Sequence, residues 1–139
     1  MSTQNKERKV LVVTGASQGL GEGFVKAYRE RGWRVVGNSR TIKPSNDPDY
    51  ITIHGDVGDP AIARKVVETA INDFGRVDTL INNAGIWRPG PIEKISEELY
   101  RRVMATNLDS VFFATQVAVP ANAPSTFPVG FHESFPQSL

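Results

Sequence analysis

The sequence predicts an α/β chain: a doubly wound parallel sheet of about four strands, in the order 3-2-1-4, followed by an irregular C-terminal tail. Three observations carry the prediction. An apolar run, Val10-Leu11-Val12-Val13, feeds a glycine-rich stretch and then an amphipathic helical pattern, all between Val10 and Gly23. Runs of strand length alternate with helical patterns as far as Val119. The first of these runs is apolar throughout, as suits a central strand covered on both faces.

Composition narrows the class. At 139 residues there is room for one domain, and 40% hydrophobic with 22% charged residues is ordinary for a globular protein. A formal net charge of +1 gives no reason to expect nucleic acid or an acidic membrane surface as partner. The chain has no cysteine, so disulfides, thiolate metal sites and cysteine nucleophiles are excluded. His54 has no second metal ligand at useful spacing, and no metal site is expected. The stretch from Met1 to Lys9 is polar and charged, and the apolar run after it is too short for a signal-peptide core or a membrane span. With no Asn-x-Ser/Thr acceptor, the expected location is cytoplasmic.

The first strand runs into Thr14-Gly15-Ala16-Ser17-Gln18-Gly19-Leu20-Gly21. Gly15 sits where the strand must reverse, and Gly19 and Gly21 let backbone, helix and ligand approach without a Cβ between them. The first N–H groups of the following helix then face a pyrophosphate, with the positive end of the helix dipole behind them. A nucleoside-triphosphate loop fails on spacing, because Leu20 stands where its second glycine belongs. G-x-G-x-x-G fails because Phe24 takes the third glycine's place after Gly19 and Gly21. The remaining pattern, T-G-x-x-x-G-x-G, resembles the short-chain dehydrogenase/reductase family, whose fold is Rossmann-like. That resemblance implies an NAD(P) cofactor held by Gly15, Ser17, Gln18, Gly19, Leu20 and Gly21.

The helix from about Gly19 turns Phe24, Val25 and Tyr28 to the sheet and stops near Gly32. Trp33 to Gly37 reads as the second strand and leads to Asn38-Ser39-Arg40, where such a fold meets the adenosine ribose. Enzymes that prefer the unphosphorylated cofactor usually place a carboxylate there. Here Arg40 stands there with Lys43 nearby, and no carboxylate follows until Asp47. A charge-assisted bond from Arg40 to a 2′-phosphate is worth about 1.5–3 kcal/mol, roughly ten- to a hundredfold in affinity. NADP is therefore the preferred cofactor, with NAD the alternative; Gln18 stands where many phosphate-preferring relatives carry a second basic residue.

Thr41 to Asp49 is a loop containing Pro44 and Pro48, and Ile51 to His54 a short third strand. The resemblance places Asp56 and Val57 beside the adenine, the carboxylate reaching the exocyclic amine. Asp59-Pro60 opens a helix whose apolar face is Ile62, Val66, Ala70, Ile71 and Phe74, closed by Gly75. Val77 to Ile81, the fourth strand, runs into Asn82-Asn83-Ala84-Gly85. This tetrapeptide is similar to the family's second signature, and it adds Asn83, Ala84 and Gly85 to the cofactor contacts.

After a loop from Ile86 to Ile95, Ser96 caps a long helix reaching Val119. In relatives the corresponding helix commonly joins subunits, which implies a possible homo-oligomer. Thr106-Asn107-Leu108 matches the position of the family's catalytic asparagine, which holds a water near the active-site lysine; Asn107 is the catalytic candidate. From Pro120 onward no lysine or arginine occurs, and four prolines break any regular element. The organisation expected is a nucleotide-binding domain over 1–119 and an irregular tail over 120–139.

The family continues with a strand bearing a catalytic serine and a helix bearing Tyr-x-x-x-Lys. Tyr28, Tyr50 and Tyr100 are followed four positions on by Gly32, His54 and Met104, so the motif does not occur in this sequence. The resemblance implies hydride transfer between NADP(H) and a small alcohol or carbonyl compound. Without the phenol that protonates the alkoxide, this chain, read as truncated near Pro120, is expected to have no appreciable dehydrogenase activity. The alternative reading is a non-catalytic nucleotide-binding or interaction fragment.

Overall fold

A computed structural model describes residues 7–122. Four parallel strands form one sheet: β1 (Val10–Thr14), β2 (Arg34–Ser39), β3 (Tyr50–His54) and β4 (Thr79–Ile81), in the order β3-β2-β1-β4. The predicted order 3-2-1-4 is the observed one. Val12 lies opposite Val36 on one side and Leu80 on the other, while Val36 lies opposite Ile51. The strands therefore finish along one edge of the sheet.

Both faces of β1 are buried, which explains its unbroken apolar sequence. Leu11 and Val13 with Val35 of β2 pack under helix α1 (Gly19–Glu30) through Val25, Phe24 and Tyr28. Val10, Val12 and Val36 pack on the other side against Val66, Val67, Ala70 and Phe74 of α2 (Pro60–Thr69) and the π-helical turn that extends it, Ala70–Phe74. Ala114 and Ala118 of α4 (Ser110–Asn122) join that layer. Helices on both faces of a parallel sheet make the doubly wound architecture.

The helix starts follow their sequence signals. Asp59 Oδ1 accepts from Ala61 N at 2.9 Å with Pro60 in the first turn, and Ser96 Oγ accepts from Leu99 N at 3.1 Å at the head of α3 (Glu97–Met104). Gly75, with φ of 81°, closes the turn after α2.

Several boundaries differ from expectation, β3 beginning one residue early at Tyr50. β2 begins at Arg34 and runs on to Ser39. β4 has only three residues, because the Asp78 carboxylate takes the Val10 N–H at 2.8 Å and is itself paired with Arg76, making Asp78 the lead-in to the strand. The helix predicted from Ser96 to Val119 is divided into α3 and α4 by a π-helical turn at Ala105–Asp109. Helix α4 also passes through Pro120 to Asn122, so the irregular tail does not begin at Pro120. Proline's fixed φ is helical, and near a C-terminus its missing N–H removes one hydrogen bond only. The rest of the predicted tail, with Phe127, Phe131 and Phe135, lies outside the described residues.

Candidate functional site

At the C-terminal edge of the sheet, the turn after β1, the end of β2, the turn after β3 and the segment after β4 enclose a groove of about 380 Å³. This is the crevice in which open α/β sheets bind ligands. Of the predicted positions, Gly15, Ser17, Gln18 and Gly19 line one wall; Arg40, Asp56 and Val57 the second; Asn83, Ala84 and Gly85 the floor between β1 and β4.

The glycine turn has the local geometry its sequence requires. Gly15 and Gly19 adopt φ of 68° and 56°. A Cβ on Gly21 would fall onto the carbonyl oxygen of Gly15, so helix and turn can approach this closely only through glycine. At Gly19 a Cβ would meet nothing within 4 Å, which leaves open space over the helix start. Gln18, the N-cap of α1, makes no side-chain cap, in contrast to Asp59 and Ser96. The first N–H groups of α1 thus receive no capping bond from the Gln18 side chain.

The floor is held by two residues. Thr14 Oγ1 accepts from the backbone N–H of Asn83 at 3.1 Å and of Ala84 at 3.0 Å. Asn83 Nδ2 donates to the carbonyls of Thr14 and Gly15, both at 3.2 Å. Across the groove Asn38, almost fully buried, donates from Nδ2 to Ile53 O at 2.9 Å and Gly55 O at 3.1 Å, tying the ends of β2 and β3. Asp56 Oδ1 accepts from Gly58 N at 2.8 Å, leaving its second oxygen uncommitted among the described residues. Val57 beside it is buried. Arg40 is exposed and makes no ion pair among the described residues. Tyr50 packs beneath Gly37; burial, with Glu22 contributing, pushes its phenol above its ordinary range, so it stays neutral at physiological pH.

Three predicted residues stand apart from the lining. Leu20 points outward and is 75% exposed, and Gly21 is packed behind the turn. Asn107, in the π-helical turn, spends its amide on the loop after β4: Nδ2 donates to Ile86 O at 2.9 Å and Oδ1 accepts from Ile86 N at 2.8 Å. Sequence reasoning passed over Thr14, Asn38 and Thr106 as site residues. Thr14 and Asn38 share a signal that was available: each is the polar residue that closes an apolar strand run, where the strand meets the crevice.

No cluster of metal-ligating side chains occurs among the described residues, and no helix there is long and apolar enough to cross a membrane.

Comparison with known proteins agrees with this geometry. The chain is 39% identical over 122 residues to an uncharacterized oxidoreductase of Methylorubrum extorquens, covering 81% of this chain and 49% of that protein. It is 34% identical over 123 residues to a 3-oxoacyl-[acyl-carrier-protein] reductase of Escherichia coli, covering 84% of this chain and 50% of the reductase. A solved short-chain dehydrogenase/reductase from Serratia marcescens superposes with a TM-score of 0.74 at 32% identity, over 81% of this chain and 52% of that structure. The chain thus spans about half the length of the curated relatives it matches. The short chain dehydrogenase family profile matches residues 9–125, most of the sequence, and the chain belongs to that family.

Proposed function

We propose that this chain is the nucleotide-binding unit of an NADP(H)-dependent oxidoreductase acting on a small alcohol or carbonyl compound. The observation that carries the reading is the convergence on one groove of the uncapped glycine turn, Asp56-Val57 and Asn83-Ala84-Gly85, with Arg40 at its rim. The turn fits a pyrophosphate, since its free N–H groups and the space over Gly19 accept an anion that a Cβ there would obstruct. Asp56 offers a carboxylate oxygen to an exocyclic amine, and Arg40 offers a guanidinium to a 2′-phosphate. When bound, the nicotinamide supplies or takes up the hydride. Asn107 holds the Gly85-Ile86 segment in place and in this reading serves the reacting end of the groove through that segment.

The sequence itself contains no Tyr-x-x-x-Lys, and a positioned general acid is worth roughly 10²–10⁴ in rate. The 139-residue chain is therefore read as binding nucleotide without turning over a carbonyl substrate. Titration with NADPH and NADH, followed by nucleotide fluorescence, tests the binding; saturable binding with NADPH the tighter ligand is expected. Absence of saturation with either nucleotide would overturn the assignment. Steady NADPH oxidation with a carbonyl substrate by the pure chain would overturn the claim of inactivity.

A second reading, an interaction module, is favoured by one observation. Leu108, Phe112 and Val119 of the α4 side are more than half exposed and border an apolar groove with Val111 and Thr115. An apolar helix face of this kind fits self-association through α4. Sedimentation of the chain and of Phe112→Glu distinguishes the cases: a dimer dissociated by the substitution supports association, and a monomer in both rejects it.

A further inference from the structure

The outer face of α4 is apolar where water would favour polar groups. Leu108, Phe112 and Val119 are 54%, 59% and 59% exposed, and with Val111, Gln116 and Pro120 they line a groove of about 580 Å³ that includes no charged side chain. Phe112 packs edge-to-face on Phe113 at 5.2 Å, and Arg64 lies over the Phe113 ring at 4.6 Å, so the exposed ring is supported from behind. A continuous apolar patch of this kind marks a contact surface.

The chain supplies a segment of matching chemistry. Residues 123–139 follow α4 directly, lie outside the described residues, and carry Phe127, Val129, Phe131 and Phe135 with Glu133 as their one charged side chain. Pro124, Pro128 and Pro136 add to the match. A groove made of side chains offers no backbone partners, and each proline brings no N–H to satisfy and a φ that is already fixed, so less is lost when such a segment is laid against it. Proline-bearing segments dock in this way on aromatic-lined grooves. Reach is sufficient as well. Val119 back to Leu108 spans roughly 17 Å along a helix. An extended chain covers about 3.3 Å per residue, so a reversal after Asn122 brings Phe127 alongside Val119 and lets Phe131 reach Leu108.

We propose that the groove on α4 is a docking site for the chain's own residues 123–139, with Phe127 and Phe131 seated between Val119 and Leu108. The competing occupant is a second copy of the chain, and tethering decides between the two. A segment joined through a short linker is present at millimolar effective concentration, about a thousandfold above a second copy at micromolar protein. The segment therefore shields the face that would otherwise self-associate. This assignment is independent of the nucleotide reading.

The sequence has no cysteine, so a pair introduced by substitution is the only one present and can be bridged with a short bifunctional maleimide. The first pair, Gln116→Cys with Val129→Cys in the full chain, keeps every phenylalanine and places one thiol at an exposed position on the groove. The second pair, Glu68→Cys with Val129→Cys, is the reference. Glu68 is exposed on α2, whose continuation at Phe74 lines one cavity with Asn122, so it lies within the same reach. Mass analysis of the products is expected to show the first pair bridged within one molecule about tenfold faster than the second, and Phe127→Asp with Phe131→Asp is expected to abolish the difference. Equal rates for the two pairs, or no bridging of either, would overturn the proposal. Bridges formed only between two molecules, or a parent dimer that Phe112→Glu dissociates, would overturn it too and give the face to a second copy.

Discussion

The side-chain amide of Asn107 pairs with the backbone of Ile86 as a second strand would, donating to its carbonyl at 2.9 Å and accepting from its N–H at 2.8 Å. A side chain on a helix thereby fixes Ile86 in the segment that follows β4. Asn107→Ala removes both bonds and is expected to speed amide exchange at Ile86 while leaving the sheet protected, at a cost of about 0.5–1.5 kcal/mol locally. Asn107→Asp restores only the acceptor and sets a carboxylate against the Ile86 carbonyl, so exchange there should be no slower than in the alanine variant. Unchanged protection at Ile86 in both variants would contradict the pairing.

In the proposed site Arg40 is expected to set the choice of cofactor. Arg40→Ala is expected to reduce the preference for NADPH over NADH roughly ten- to a hundredfold, chiefly by weakening NADPH. Dissociation constants for the two nucleotides in parent and variant decide it. A ratio that does not move would return Arg40 to the solvated surface.

Two glycines of one helix should respond in opposite directions to the same substitution. Gly21→Ala places a methyl group against the Gly15 carbonyl and should cost about 3 kcal/mol as the helix is pushed from the turn. Gly23→Ala, in the same helix and facing open space, should gain about 0.5–1 kcal/mol from helix propensity and a less flexible unfolded chain. Chemical denaturation of the two variants measures both signs.

Thr14 is buried and accepts two backbone N–H groups from the segment after β4. Thr14→Val is close in shape and removes the acceptor, leaving the Ala84 N–H unsatisfied and the Asn83 N–H with the Ile81 carbonyl alone, for an expected loss of about 1–3 kcal/mol. Thr14→Ser should recover most of it. Equal stability of the valine and serine variants would refute the role of the oxygen.

Acid stability follows from two carboxylates. The bidentate Arg8 guanidinium, at 2.7 Å to each oxygen, holds Asp49 below its ordinary 3.8. Burial would raise Asp78, but Arg76 and the Val10 N–H outweigh it and leave that carboxyl low as well. A native state that holds these protons less tightly than the unfolded chain is fully favoured above 3.8 and loses that advantage as pH falls through the native values. The thermal midpoint should therefore turn downward below about pH 4, and Asp78→Asn should make that decline shallower. A midpoint that rises on acidification through this window would reverse the sign and reject the argument.

The strand order and both helix layers were legible because they depend on local rules, apolar runs, caps and glycines at fixed spacing, whereas Asp56, Val57, Asn83, Ala84 and Gly85 were named from the family resemblance. What was not legible depended on tertiary partners. β4 is short because Asp78 serves β1 and Arg76, which no periodicity reports. The division of the Ser96 helix at Ala105–Asp109 leaves no mark in the apolar pattern, since a π-helical turn inserts one residue without changing residue type. Pro120 was read as a breaker, yet a proline close to a helix end forfeits a single bond, and Ala114 and Ala118 pack on the core just before it.

The cross-ties of Thr14 and Asn83 give the groove one stiff wall: the glycine turn and the end of β4 are braced together by four bonds between 3.0 and 3.2 Å. The facing rim at Ser39 to Thr41 is fastened to the turn by one hydroxyl pair, Ser17 to Thr41, at 3.2 Å. In the proposed nucleotide site the phosphate end therefore lies on the side cross-braced to β4, and the ribose end on the rim that joins the turn through that single hydroxyl pair.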